Sequence, residues 1–194
     1  FALAAAKGTE IAFEASVGGT SPVLRALREG VCADRVLALH GSVNGTCNYI
    51  LTEMEATGEP YEACLKRAQD LGYAEADPSS DIDGIDSANK LAILAGLAFG
   101  VYLAPTAFPI EGIRHIVPAD IEYASRIGFR VKLLSVAKRN AHGIQARVHP
   151  TMIPRKSVLA GVDGSMNAIE VRGELSGPTL YYGAGAGAAP TASA

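Results

Sequence analysis

Cysteine is scarce in this chain. Cys32, Cys47 and Cys64 are its only three, an odd set with no CxxC spacing, which offers neither a disulfide framework nor a thiolate zinc site. Buried free thiols in a reducing compartment are the expectation. Charge of one sign is also lacking: 17 Lys and Arg against 20 Asp and Glu leave a formal net charge of −3. Basic residues such as Arg126, Arg130, Lys132, Lys138 and Arg139 are spread among apolar ones, so nothing pulls the protein toward nucleic acid or an anionic membrane. Long apolar runs are missing too. The longest, Leu91 to Leu103, is broken by Gly96 and Gly100 and falls short of the roughly 20 residues a membrane span needs. Phe1 to Lys7 is too short for a secretory leader and has no charged stretch before it. The composition reads as a soluble protein.

What is present is a hydrophobic fraction of 48% over 194 residues, enough for one substantial core. Against it stands one strongly polar stretch, Gly72 to Lys90, which gathers carboxylates and a lysine at the mouth of an apolar run. Pro78, Ser79 and Ser80 stop any helix arriving from Glu62 to Leu71, and Gly84 permits a tight turn. From Ile85 onward Ala88, Leu91, Ala92 and Ala95, widened by Leu94 and Leu97, recur at helical spacing and should be buried. Asp86 and Lys90, four residues apart, share a face of that helix. Glu75, Asp81, Asp83, Asp86 and Lys90 could therefore line one pocket.

Along the rest of the chain, Lys7 to Ser16 reads as a turn and a strand with Ile11 and Phe13 on one face. Ser21 and Pro22 read as N-cap and first residue of a helix ending at Gly30. Val36 to Val43 hardly alternates and reads as a strand buried on both faces. The helix after it starts near Thr46, so Asn44 and Asn48 fall where strand ends meet helix starts, where α/β folds place ligands and where Asn also caps helices. Gly128 to Lys138 alternates as a strand, and His142-Gly143 turns it into a hairpin with Ile144 to Pro150. Val158 to Gly173 and Gly177 to Gly183 supply two more strands. The four histidines have no acidic partner at ligand spacing. The fold class expected is α+β, a mixed, largely antiparallel sheet with helices packed on one face.

Three uses of the acidic stretch compete on residues alone. Carboxylates could orient a small molecule while Lys90 takes or gives a proton. Asp81-x-Asp83-Gly84-x-Asp86 has the alternating oxygens and central glycine of a calcium loop, without the later glutamate of an EF-hand. Or Asp77 to Asp83 cap a helix and Asp86 pairs with Lys90.

Three segments carry a family resemblance: Gly41-Ser-Val-Asn-Gly-Thr-Cys-Asn-Tyr-Ile-Leu-Thr-Glu-Met54, Ala68-Gln-Asp-Leu-Gly-Tyr-Ala-Glu-Ala-Asp-Pro78, and Asp81-Ile-Asp-Gly-Ile-Asp-Ser-Ala-Asn-Lys-Leu-Ala-Ile-Leu94. They closely resemble homoserine dehydrogenase, and the likeness runs from Phe13-Glu-Ala-Ser-Val-Gly-Gly19 to Pro190-Thr-Ala-Ser-Ala194. The resemblance implies reversible oxidation of L-homoserine to L-aspartate 4-semialdehyde with NAD or NADP, in the cytoplasmic aspartate pathway to threonine and methionine, by a homodimer. It implies that Glu75 and Asp86 hold the substrate's amino end and that Lys90 is the proton donor and acceptor. Gly72 and Gly187 match cofactor contacts, and Glu14, Val17, Gly19 and Ser21 match a sodium site built from main-chain oxygens. It also implies that residues 1–194 are the substrate-binding, catalytic and dimerisation domain, truncated at both ends, with the nucleotide-binding half outside them. An inert dimerisation or binding fragment of that enzyme is the alternative.

Overall fold

The computed structural model describes residues 2–193 and builds them into one five-stranded sheet with helices against it. In chain order the elements are α1 (Ala2–Ala6), α2 (Val23–Arg25), which continues as a wider π turn over Ala26–Gly30, β1 (Val36–Ser42), α3 (Gly45–Thr57), α4 (Tyr61–Asp70), α5 (Ser79–Ile82) and α6 (Ile85–Phe99). Then follow α7 (Pro118–Arg126), β2 (Phe129–Asn140), β3 (Gly143–Pro154), β4 (Met166–Gly173), β5 (Gly177–Ala184) and α8 (Ala188–Ala192). The strands lie in the order β3-β2-β1-β4-β5, and each neighbouring pair is antiparallel. The α+β expectation holds, with an antiparallel sheet rather than a mixed one. Among the described residues parallel pairing is confined to a bridge between Ile110 and Val148.

Strand alternation assigns the two faces. Leu39, Val131, Leu133, Ala137, Val148, Ile169 and Val171 belong to one buried cluster with the helix residues Ile50, Leu51, Met54, Leu91, Leu94 and Ile121. α6 is fastened there as well, because the Ser135 hydroxyl of β2 donates to the Ser87 carbonyl. Residues of the opposite parity turn outward. Leu134, Val136 and Ala168 are covered by Leu159, Ala160 and Val162, in the one-turn helix Val158–Gly161. Beyond that cover the outer face stays open around His40, Lys138, Arg147, His149 and Glu170. His40 does find an acidic partner, Glu170 on β4 at 3.2 Å, which spacing along the chain could not reveal. Burial and the nearby Lys138 hold its pKa below the usual 6.5 despite that carboxylate.

Four local expectations are corrected. Residues 9–14 form no strand: the Glu14 carboxylate instead accepts the backbone N–H groups of Leu24 and Arg25, each at 2.8 Å, so this segment is tied to a helix start rather than to a ladder. For the same reason Ser21 is not the cap; Pro22 holds that position without a side-chain bond, and Ser21 Oγ is buried without a partner among the described residues. In α6 the buried stripe is Ser87, Ala88, Leu91, Leu94, Ala95 and Phe99, whereas Ile85 is exposed. Cys47 and Cys64 are buried as expected, but Cys32 is exposed. Among the described residues no helix is long and apolar enough to cross a membrane.

Candidate functional site

The polar stretch divides by what each carboxylate touches. Asp77 accepts the N–H of Ser79 at 3.1 Å and its hydroxyl at 2.6 Å, which caps the short α5. Asp83 turns away to a two-pronged pair with Arg114, at 3.0 and 2.9 Å. Asp81 and Asp86 face the other way, into a cavity of about 380 Å³. Gly84, at φ 83°, divides them: its left-handed turn ends α5 and starts α6, so that Asp86 enters the first turn of α6. A carboxylate is favoured at that end of a helix.

Lys90 stands one turn further along α6 and reaches back to Asp86, with Nζ 2.7 Å from Oδ2. It also donates to the Val43 carbonyl at 2.9 Å. That carbonyl, one residue past the end of β1, accepts a second bond, from Nδ2 of Asn167 at 3.1 Å. Asn167 is 1% exposed and supports the far wall of the cavity: a Cβ on Gly185 would come within 2.3 Å of its side chain. Glycine at 185 is therefore required by close approach, and the Gly/Ala run Ala184–Gly187 lines the cavity with little side chain.

The cavity is closed by the first turn of α3 (Asn44, Gly45, Thr46), by Gly72 and Tyr73, and by Ser165. Asn44 caps α3, its Oδ1 accepting the Cys47 N–H at 2.9 Å, and Thr46 holds the Tyr73 carbonyl through its hydroxyl at 2.6 Å. Tyr73 stacks at a tilt on Tyr49, with ring centroids 4.9 Å apart. The Cys47 thiol behind this wall is pushed well above the usual thiol range by burial and by Asp81, so it is a packing group and not a nucleophile.

Of the residues singled out from sequence, Lys90, Asp86, Gly72 and Gly187 are brought together on this cavity, joined by Asp81. Glu75 is exposed and does not line it, although it follows Tyr73 by two residues. Glu14, Val17, Gly19 and Ser21 lie in a separate turn packed on the end of β5, where the Thr20 N–H donates to the Ala184 carbonyl. Among the described residues no group of three or more His, Cys, Asp or Glu could hold a metal ion. The calcium-loop reading fails on Asp83, which spends both oxygens on Arg114. Thr46, Tyr73, Ser165 and Gly185 escaped the sequence reading. Thr46 and Tyr73 carry the one available signal, their position inside segments that the resemblance already covered.

With that geometry in hand, comparison with known proteins is specific. A family model described as homoserine dehydrogenase matches residues 22–194. The homoserine dehydrogenase of Neisseria gonorrhoeae is 50% identical over the whole of this chain, which spans 45% of that protein. The crystal structure of a homoserine dehydrogenase from Thiobacillus denitrificans is 52% identical and superposes with a TM-score of 0.97, over all of this chain and 45% of its own. A hyperthermophilic archaeal homoserine dehydrogenase solved in complex with NADPH is 28% identical with a TM-score of 0.83, over 99% of this chain and 55% of its own. The chain thus spans about half the length of the relatives it matches.

Proposed function

The chain belongs to the homoserine dehydrogenase family, and from that premise we propose that it forms the substrate-binding and catalytic domain of an NAD(P)-dependent oxidoreductase. The reaction is the interconversion of L-homoserine and L-aspartate 4-semialdehyde, within the aspartate pathway to threonine and methionine. The observation that carries this reading is the convergence of Lys90, Asp86 and Asp81 on one cavity walled by Gly72 and Gly185–Gly187.

The roles follow from the chemistry of those groups. Oxidising a secondary or primary alcohol requires loss of the hydroxyl proton as the carbonyl forms, and Lys90 is the proton donor and acceptor at that oxygen. A bound nicotinamide supplies the hydride acceptor. Asp86 holds the substrate's ammonium, and the first turn of α3 offers its backbone N–H groups to the carboxylate; Glu75, outside the cavity lining, is kept as the second ammonium-binding carboxylate on the resemblance. Gly72 and Gly187 are the cofactor contacts. A Cβ built on Gly72 meets nothing within 4 Å, so the cavity wall is open at that point. The main-chain oxygens of Glu14, Val17, Gly19 and Ser21 are the candidate sodium ligands, and the unpartnered Ser21 hydroxyl beside them is the feature that fits a hard cation.

The protein is proposed to be a cytoplasmic homodimer that pairs through the open outer face of its sheet. Leu180 and Tyr182 on that face are 37% and 54% exposed, and a second copy would cover them. The fragment reading draws its support from the 45% coverage: these residues alone would fold and pair without turnover.

The test is homoserine-dependent reduction of NAD and of NADP, followed at the nicotinamide absorbance with the full-length protein and with residues 1–194 alone. Turnover by the full-length protein supports the assignment, and turnover confined to it supports the fragment reading of this stretch. No reduction of either cofactor by the full-length protein rejects the assignment.

A further inference from the structure

Asn44 does more than cap a helix. Its side chain is 5% exposed as a residue, and all of its hydrogen-bonding groups on the amide are engaged. Oδ1 takes the Cys47 N–H at 2.9 Å. Nδ2 gives one hydrogen to Asp81 Oδ1 at 2.6 Å and the other to Asp86 Oδ2 at 2.9 Å. The orientation is forced, because flipping the amide would set its oxygen against two carboxylates and its NH₂ against a backbone N–H. The Asp86 oxygen it meets is the one that Lys90 holds at 2.7 Å. Two carboxylates side by side on a cavity wall repel, and one lysine at Asp86 alone does not fix both.

We propose that Asn44 is a positioning residue: by donating to Asp81 and Asp86 together it holds both carboxylates on the cavity wall and sets the Lys90–Asp86 contact through which the proton is handled. This rests on the oxidoreductase reading given above. The residue before it completes the arrangement, since the Val43 carbonyl holds Lys90 from the other side. Two consecutive residues between β1 and α3 thus determine where the lysine nitrogen sits, one directly and one through Asp86.

Asn44→Asp separates this role from capping. Aspartate caps a helix as well as asparagine does, so a residue that only caps tolerates the change. A positioning residue does not, because the variant loses both donated bonds and adds a third carboxylate. In the full-length enzyme, kcat/KM for homoserine is expected to fall by roughly 10- to 100-fold, the scale of losing hydrogen bonds to charged groups. The acid limb of its pH profile should move upward by about one pH unit, because a like charge disfavours ionisation. The melting temperature should fall as well, because the new carboxylate is nearly buried against two others, so the kinetics are read below the melting transition of each variant. Asn44→Ser keeps a cap and one donor, and its kinetics should fall between the two; it also carries the test if the aspartate variant does not fold.

Unaltered kinetics and pH profile in both variants would overturn the proposal and leave Asn44 a cap. A second readout is independent of turnover: the crystal structure of Asn44→Ser. The Asp81 and Asp86 carboxylates should leave the places they hold against Asn44, and the Lys90–Asp86 contact of 2.7 Å should lengthen. Carboxylates and lysine that stay where they are would overturn the proposal even with altered kinetics. Their displacement in a protein whose parent never oxidises homoserine would keep the network and reject the oxidoreductase reading.

Discussion

Lys90 and Lys132 both end among oxygens, yet they are opposites. Lys132, on β2, is 1% exposed, and its amine meets Asn48 Oδ1 at 2.9 Å, the Val162 carbonyl at 2.5 Å and Asp163 at 3.3 Å. Three donors find three acceptors, and nothing remains for a ligand. Around it Arg130 binds Glu55 and Asp163, so the segment 158–163 is tied down to α3 and β2. The Lys90 side chain is 20% exposed and has two protein acceptors among the described residues, Asp86 and Val43. One N–H is left toward the cavity. A saturated lysine sealed by its partners holds structure together; an unsaturated one on a cavity wall can act on what enters.

The largest effect should come from breaking the unsaturated member. In the full-length protein, Lys90→Ala should lower kcat by about 100-fold or more, the usual contribution of a positioned acid or base, while the homoserine KM changes little. Equal losses in kcat and binding would reassign Lys90 to substrate binding. Lys132→Ala should reverse the pattern. It leaves Asn48 Oδ1 without its donor, since the Val162 carbonyl keeps the Asn48 amide at 3.0 Å, and it opens a void, a cost of about 3 kcal/mol, seen in chemical denaturation, while kcat of the folded protein stays within about threefold. A stable Lys132→Ala enzyme without turnover would erase the distinction between the two lysines.

A smaller effect sharpens the same comparison through pH. Burial, with Arg130 nearby, lowers the Lys132 pKa from 10.5 to about 8, outweighing Asp163. Between those values the unfolded chain binds more protons at this site than the folded one, so stability rises with pH. The penalty for the charged amine is present in full below pH 8 and is relieved as pH climbs toward 10.5. Lys132→Met removes the titration. The difference in unfolding free energy between parent and Lys132→Met should therefore shift in the parent's favour from pH 8 to 10.5. A flat difference would mean that the acceptors keep the amine charged as easily as water does.

How much of this was legible beforehand depended on distance along the chain. The hairpin at His142-Gly143, the strand Val36–Ser42 and the helix from Ile85 follow from turn chemistry and from spacing of two or of three and four residues, all local. Asp86 and Lys90 share one helix, so their pairing was readable for the same reason. What closes the site is not local. Gly185–Gly187 meets the acidic stretch only because β5 returns beside β4, and Asn44 reaches Asp81 and Asp86 only once α3 and α6 pack on the same sheet. The failed strand at residues 9–14 teaches the converse. Ile11 and Phe13 alternate correctly, but the Glu14 side chain gives the segment a different partner, and no pattern of apolar residues encodes that.

The smallest expected effect lies inside the polar stretch and tests whether its two halves are as distinct as the two lysines. Asp83 is two residues from Asp81 and carries the same charge, but its partner Arg114 is on the surface, with side-chain exposures of 42% and 45%. Exposed pairs of this kind contribute about 1 kcal/mol or less. Asp83→Asn should therefore leave kcat, KM and the pH profile where they were and lower stability by no more than that, measured by denaturant unfolding. If Asp83→Asn instead changed the kinetics as Asn44→Asp is expected to, the carboxylates would act as one coupled field. Division of the stretch by the turn at Gly84 would then have no functional meaning.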